Sequence, residues 1–257
     1  MRHGTEGRLP APSGGRVRAD QLLCERGLAE SRSRAQALIM AGVVFSGGRR
    51  VDKPGAALPP DAPIELRGQD HPWVSRGGVK LDHALSHFGL DPAGRIALDI
   101  GASTGGFTDV LLQRGAAKVY AVDVGHGQLA WKLRQDPRVV VRERVNARYL
   151  SAAEVPEPVG ALVCDASFIG LRTLLPEPLK LCAPGAFAVA LIKPQFEAGP
   201  GRAPGGVVRD PAVHRAVCQA VKEWWAAQPG WQVIGITPSP ITGPEGNREF
   251  LIAARRG

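Results

Sequence analysis

The stretch Asp99-Ile100-Gly101-Ala102-Ser103-Thr104-Gly105-Gly106-Phe107 decides the fold. The apolar run Ile96 to Ile100 leads into it, and a helical pattern, Gly106 to Arg114, leaves it. A short apolar run of this kind suits a buried strand. Glycine between strand and helix lets the backbone turn sharply and approach a ligand closely. The helix start then offers N–H groups that have no partner within the helix. The spacing is not G-x-G-x-x-G, because Ala102-Ser103 stand where its second glycine belongs; it is D-x-G-x-x-x-G.

The same alternation continues downstream. Lys118 to Val122, Arg138 to Val141, Ala161 to Cys164 and Ala186 to Ile192 are further strand candidates. Gln128 to Gln135, Leu171 to Leu181 and Pro211 to Ala227 read as helices, and Gln232 to Ile236 with Glu249 to Ala253 as a closing hairpin. Strand-then-helix order predicts an α/β fold, a parallel sheet with helices on both faces. In such a sheet ligands bind beyond the carboxyl ends of the strands. Asp165 and Lys193 end two of these strands and are expected at the crevice of the glycine loop. Pro194 argues against a helix starting directly after Lys193. Spacing alone does not bring Lys80 or Glu249 there.

Upstream the pattern differs. Residues 1–15 are rich in Gly and Pro and read as a disordered lead-in. Residues 16–68 suggest a small α+β domain. Ala19 to Arg26 forms one helix, stopped at Gly27, and Ser31 caps a second that carries Ala35, Leu38, Ile39 and Met40. Val43 to Phe45 and Ile64 to Leu66 read as strands, with Gly47-Gly48 as a turn. Residues 69–74 read as a linker, and 75–257 as the α/β domain.

Composition narrows the function classes. The chain has 257 residues and a net charge of +8, with 44% hydrophobic residues, enough for a real core. Residues 1–80 hold 13 positive and 8 negative side chains, so +5 of the excess lies at the front. A front-loaded positive charge suits a phosphate-bearing partner. No apolar run approaches the roughly 18 residues of a spanning helix. The start lacks an apolar signal core, so a cytoplasmic location is expected. Cys24, Cys164, Cys182 and Cys218 have no metal-like spacing and are expected as free thiols. His83 and His87, four apart, lack the H-E-x-x-H pattern, so no metal is expected.

Two resemblances sharpen this. Arg18-Ala19-Asp20-Gln21-Leu22-Leu23, Ser31-Arg32-Ser33-Arg34-Ala35 and Ile39-Met40-Ala41-Gly42-Val43-Val44 resemble the small RNA-binding domain first known from ribosomal protein S-four. That resemblance implies RNA backbone contacts by Arg18, Arg32 and Arg34, whose guanidinium forks match phosphate geometry. The D-x-G-x-x-x-G loop resembles the S-adenosylmethionine loop of Rossmann-like class I methyltransferases. It implies a cofactor cradle at Gly101, Ala102, Ser103, Thr104, Gly105 and Gly106, bordered by Phe107 and Asp165. Asp123, ending the next strand, is placed to accept from both ribose hydroxyls, and Asn146 to reach the adenine edge.

Val74-Ser75-Arg76-Gly77-Gly78, Asp123-Val124-Gly125-His126-Gly127-Gln128-Leu129 and Lys193-Pro194-Gln195-Phe196-Glu197 complete the pattern. From about Arg16 onward the chain is similar to the TlyA family, which joins an S-four-type domain to a methyltransferase domain of the FtsJ type. The family methylates cytidine ribose 2′-oxygens in ribosomal RNA, so the implied partner is ribosomal RNA within ribosomal subunits. The resemblance implies a catalytic tetrad at Lys80, Asp165, Lys193 and Glu249. A ribose hydroxyl is a poor nucleophile, whereas a sulfonium methyl is already activated. The protein must therefore align the reactants and take up a proton. Lys193 is the expected proton acceptor, oriented by Asp165, while Glu249 orients Lys80 and the ribose. Family members are also known as haemolysins, so a membrane-active protein is one rival. A ribosome-binding factor without catalysis is another.

Overall fold

The computed structural model describes residues 15–29, 31–67, 71–199, 201–243 and 245–257. The expected lead-in lies outside these apart from Gly15, as does part of the linker. The chain first forms β1 (Val17–Arg18), α1 (Ala19–Glu25), α2 (Arg32–Met40), β2 (Val44–Ser46), β3 (Arg49–Arg50), β4 (Ala57–Leu58) and β5 (Ile64–Leu66). Ser31 caps α2 by accepting from the Arg34 amide at 3.2 Å. Gly47 and Gly48 both hold positive φ, which lets β2 fold back on β3. Ala19, Leu23, Ala35, Ile39 and Val44 share one small core, so both helices pack on the short strands. β1 and β4 pair with each other and were not anticipated, because a two-residue strand shows no periodicity.

Then come α3 (Gly77–Phe88), β6 (Ile96–Ile100), α4 (Gly106–Gln113), β7 (Lys118–Asp123), α5 (Trp131–Arg134), β8 (Val139–Glu143) and β9 (Val159–Cys164). They are followed by α6 (Leu171–Leu174), α7 (Pro176–Lys180), β10 (Cys182–Ile192), α8 (Pro194–Glu197), α9 (Pro211–Ala226), β11 (Trp231–Pro238) and β12 (Phe250–Arg256). Seven strands make one sheet in the order β11-β12-β10-β9-β6-β7-β8. Pairs from β10 through β8 are parallel, whereas β12 runs antiparallel to both β10 and β11. The α/β fold is as expected, with the hairpin adding the antiparallel edge.

Three local expectations needed correction. The helix read over Leu171 to Leu181 is two, because Pro176 cannot donate within a continuous helix and instead opens α7. Pro194 does not prevent a helix after Lys193; it occupies the first turn of α8, where its missing N–H costs nothing. The helix expected over Gln128 to Gln135 is confined to α5. The spacing of His83 and His87 hinted at a helix, but α3 was not placed as an element, since its Gly77-Gly78 start lacks the usual capping residue.

Side chains alternate across the sheet. Leu98, Ile100, Leu162, Cys164, Ala188, Ala190 and Ile192 face the core beneath α6, α7 and α9. Ala97, Ala161, Val163, Val189, Leu191, Leu251 and Ala253 face the core beneath α3 and α4. Period two therefore sends Asp165, Lys193 and Glu249, the next residues outward in that second set, to the α3 side.

Candidate active site

The sheet order reverses between β6 and β9, and the loops after these two strands part to leave a crevice. Gly101 follows β6 at φ 78°, directly beside the chain leaving β9. A Cβ on Gly101 would lie 2.9 Å from Ala166 Cα, so only glycine permits this approach. Ser103, also at positive φ, donates its amide to Asp123 Oδ2 at 2.9 Å. The Gly125 amide donates to Asp123 Oδ1 at 2.7 Å, so one carboxylate holds two loops. A crevice of about 530 Å³ opens here, bordered by Gly101, Asp123, Asn146, Asp165, Ser167 and Phe168. Its size suits a small-molecule ligand.

A narrower crevice adjoins it and shares Gly101, Ser103, Asp165 and Ser167. This one holds the four predicted ionisable residues together. Lys80 Nζ donates to Glu249 Oε2 at 2.7 Å and lies 3.9 Å from Asp165 Oδ2. Lys193 Nζ lies 2.7 Å from Asp165 Oδ1. Charges thus alternate along Glu249, Lys80, Asp165 and Lys193.

Four elements converge to make this chain. Pairing of Ile192 with Phe250 sets Lys193 and Glu249 side by side beyond β10 and β12. Asp165 follows Cys164, which pairs with Ala190 on β10. Lys80 comes from the first turn of α3, which crosses the start of α4 at close range. A Cβ on Gly106 would lie 2.3 Å from Ser75 Oγ and 2.9 Å from the Gly78 amide nitrogen. Glycine at that crossing brings the helix near enough for Lys80 to reach the sheet.

Neighbouring charges work against burial in this chain. Lys80, Lys193 and Glu249 are 7%, 8% and 3% exposed. Burial alone would push the Lys80 ammonium down, but the Asp165 and Glu249 carboxylates outweigh it and hold its pKa above the usual lysine range. Burial likewise works against the Asp165 carboxylate, and the two lysines overcome it, holding its pKa below the usual range. Asp99, first residue of the glycine motif, behaves differently. It is fully buried, accepts from Thr108 Oγ1 at 2.7 Å, and burial pushes it up to about 7. It supports the loop from beneath rather than lining either crevice.

Not every predicted residue takes the expected position. Ala102, Thr104, Gly106 and Phe107 border the narrower crevice. Gly105 does not: at φ 95° it starts α4, and a Cβ there would point into Leu133. Asn146 borders the larger crevice while its side chain accepts from the Arg148 amide at 3.1 Å. Arg18 and Arg32 both pair with buried Asp20, at 2.9 and 3.2 Å. Arg18 chiefly holds the Asp20 carboxyl well below the usual range. Both arginines stay at least half exposed, so outward N–H groups remain, and Arg34 is exposed on the same helix as Arg32.

Residues unassigned from sequence also reach the site. Ser167 borders both crevices, as does Met40 from α2 of the small domain. Phe168 is 90% exposed at φ 68° beside Phe196. The available signal was their place in the loop directly after Asp165. Lys53 of the small domain pairs with Glu245 at 2.5 Å, and Arg76 lies 3.7 Å from Asp52, so charged contacts seat that domain at the mouth. Among the described residues no cluster fits a metal, no helix is long and apolar enough to cross a membrane, and the four cysteines are free.

A doubly wound sheet with an open glycine loop and an S-four-type domain at its mouth defines an RNA-directed methyltransferase architecture. Comparison with known proteins agrees. Residues 73–256 match the FtsJ-like methyltransferase model and residues 17–64 the S4 domain model. The 16S/23S rRNA (cytidine-2′-O)-methyltransferase TlyA of Mycobacterium tuberculosis is 48% identical over 242 residues, 93% of this chain and 90% of that one. YqxC of Bacillus subtilis is 50% identical over 238 residues, 91% of this chain and 84% of that one. A solved structure described as a hemolysin from Streptococcus thermophilus superposes with a TM-score of 0.74 at 43% identity, covering 95% of this chain and 90% of that one. The chain belongs to the TlyA family of FtsJ-like methyltransferases.

The donor set at the larger crevice fits an adenosyl group: a carboxylate for vicinal hydroxyls, a glycine at positive φ, and an apolar floor of Ile100 and Val122. Asp123→Ala is expected to weaken S-adenosylhomocysteine binding by about tenfold to a hundredfold, the worth of one or two charge-assisted hydrogen bonds. Calorimetric titration measures it, and unchanged affinity would remove Asp123 from the site.

Proposed function

We propose that this protein transfers the methyl group of S-adenosylmethionine to the ribose 2′-oxygen of a cytidine in ribosomal RNA. The alternating Glu249-Lys80-Asp165-Lys193 chain beside an adenosyl-sized crevice carries this reading. The names of the relatives support the RNA target. The bound donor supplies an activated methyl on a sulfonium.

The chain's own residues account for the rest. Asp123 and the Gly101 loop seat the adenosyl end. Two carboxylates keep Lys80 an ammonium, so it offers positive charge to the ribose or its phosphate and is not the base. Lys193, oriented by Asp165, takes up the hydroxyl proton. The exposed ring of Phe168 at the mouth offers a stacking face to an unstacked base, the usual way proteins hold single-stranded RNA. Arg18, Arg32 and Arg34 supply backbone contacts from the small domain.

Incubation with methyl-labelled S-adenosylmethionine and bacterial 30S or 50S subunits lacking the modification tests the reading. Label is expected in a 2′-O-methylcytidine, located by nuclease mapping and mass spectrometry. Label on a base, or none on either subunit, would overturn it.

A further inference from the structure

Lys193 Nζ is surrounded by three oxygens: Asp165 Oδ1 at 2.7 Å, Ser167 Oγ at 2.8 Å and the Asp165 main-chain carbonyl at 3.3 Å. An ammonium can donate to the hydroxyl and the carbonyl while lying in ion-pair contact with the carboxylate. A proton acceptor cannot, because it must be the neutral amine, and its lone pair then needs to face a donor. A carboxylate and a carbonyl only accept hydrogen bonds, whereas a hydroxyl both accepts and donates. Ser167 is therefore the one of these three partners able to reverse its bond and donate to Lys193. Ser167 is also exposed, and it borders both crevices, whereas Lys193 is 8% exposed beneath it.

We propose that Ser167 is a further catalytic residue, relaying the ribose proton to Lys193. This rests on the 2′-oxygen reading above. In the step, the ribose 2′-oxygen forms its bond to the methyl carbon as the sulfur–carbon bond breaks and its electron pair returns to sulfur. The 2′-hydroxyl proton passes to Ser167 Oγ while the serine's own proton passes to the Lys193 amine. Serine ends as it began, and Lys193 ends as an ammonium beside Asp165. The same hydroxyl also fixes the ribose oxygen at hydrogen-bond distance from the loop.

Ser167→Ala and Ser167→Thr test the relay, with the full-length protein, labelled S-adenosylmethionine and the unmodified ribosomal subunit that wild type methylates. Proton-transfer groups contribute about 100-fold or more to rate. Ser167→Ala is expected to slow single-turnover transfer roughly 100-fold at saturating S-adenosylmethionine, a general acid–base loss. Ser167→Thr keeps the hydroxyl at an exposed position, so its rate is expected to stay within about threefold of wild type, well short of the loss from a missing proton-transfer group. A Ser167→Ala rate near wild type overturns the relay, and so does an equal loss in both variants, which would make the role one of shape. Wild type serves as the control: if it labels no ribose, the 2′-oxygen reading falls and the relay falls with it. If wild type is active and Ser167→Ala is too, only the relay falls.

Discussion

Lys193→Ala is expected to cut methyl transfer by at least about 1000-fold while leaving cofactor binding intact, a loss at the upper part of the range for general acid–base groups. Binding should survive because Lys193 borders the narrower crevice and not the larger one that fits the adenosyl group. Folding should survive because Asp165 keeps a second cation, Lys80, at 3.9 Å. Lys193→Arg sharpens the test. Arginine keeps the charge beside Asp165, yet it does not deprotonate in proteins and cannot accept the ribose proton. Both variants should be inactive if proton uptake is the role. An active Lys193→Arg protein would show that positive charge alone suffices. Single-turnover labelling, with calorimetry for cofactor affinity, separates these results.

Glu249→Ala should act mainly on stability. It strands Lys80, which is 7% exposed, with only the more distant Asp165 for compensation. Removing one partner of a buried ion pair costs about 3–5 kcal/mol. The pH dependence follows from the sign of the shift. In the wild type Lys80 is held above the usual lysine range, so its contribution is present at neutral pH and fades only when pH rises through that raised value. Without Glu249 the main opposing influence is burial, which favours the neutral amine. The unfolded chain then binds the proton more readily, and stability rises with pH. The deficit of Glu249→Ala should thus be largest near neutrality and narrow toward pH 10, where the unfolded lysine also begins to lose its proton. Urea denaturation at pH 7 and pH 9.5 measures it. A deficit that is constant with pH would mean that packing, not charge, is what Glu249 provides. Glu249→Gln, which keeps the acceptor oxygen but not the charge, should fall between the two.

The relay and these two variants depend on features of unequal visibility in the sequence. Asp165 and Lys193 could be placed because each ends a recognisable apolar run, and strand ends define the crevice of an open sheet. Glu249 lies before a hairpin strand whose pairing partner no periodicity reveals; the register of β12 on β10 places it. Lys80 sits in a helix that starts on two glycines without a capping side chain, so neither its start nor its direction was visible. Ser167 and Phe168 were in plain sight but carried no pattern. Their significance comes from what surrounds them: a lysine nitrogen at 2.8 Å in one case, and open space in the other. Arg18 and Arg32 show the opposite case, since their type suggested RNA contact while the fold also gives them a buried partner in Asp20.

By itself, the sequence determined the alternating α/β order, the glycine loop after β6, the small α+β domain ahead of it and the placing of Asp165 and Lys193 at strand ends. These are local properties: apolar period, glycine placement and charge at strand ends follow from neighbours along the chain. Only the tertiary structure decided that Lys80 and Glu249, 169 positions apart, meet at 2.7 Å, and that the small domain's Met40 borders both crevices. It also decided that two carboxylates hold Lys80 as an ammonium. Those outcomes depend on strand register, helix crossing and the loss of water around buried charge, none of which is a property of adjacent residues.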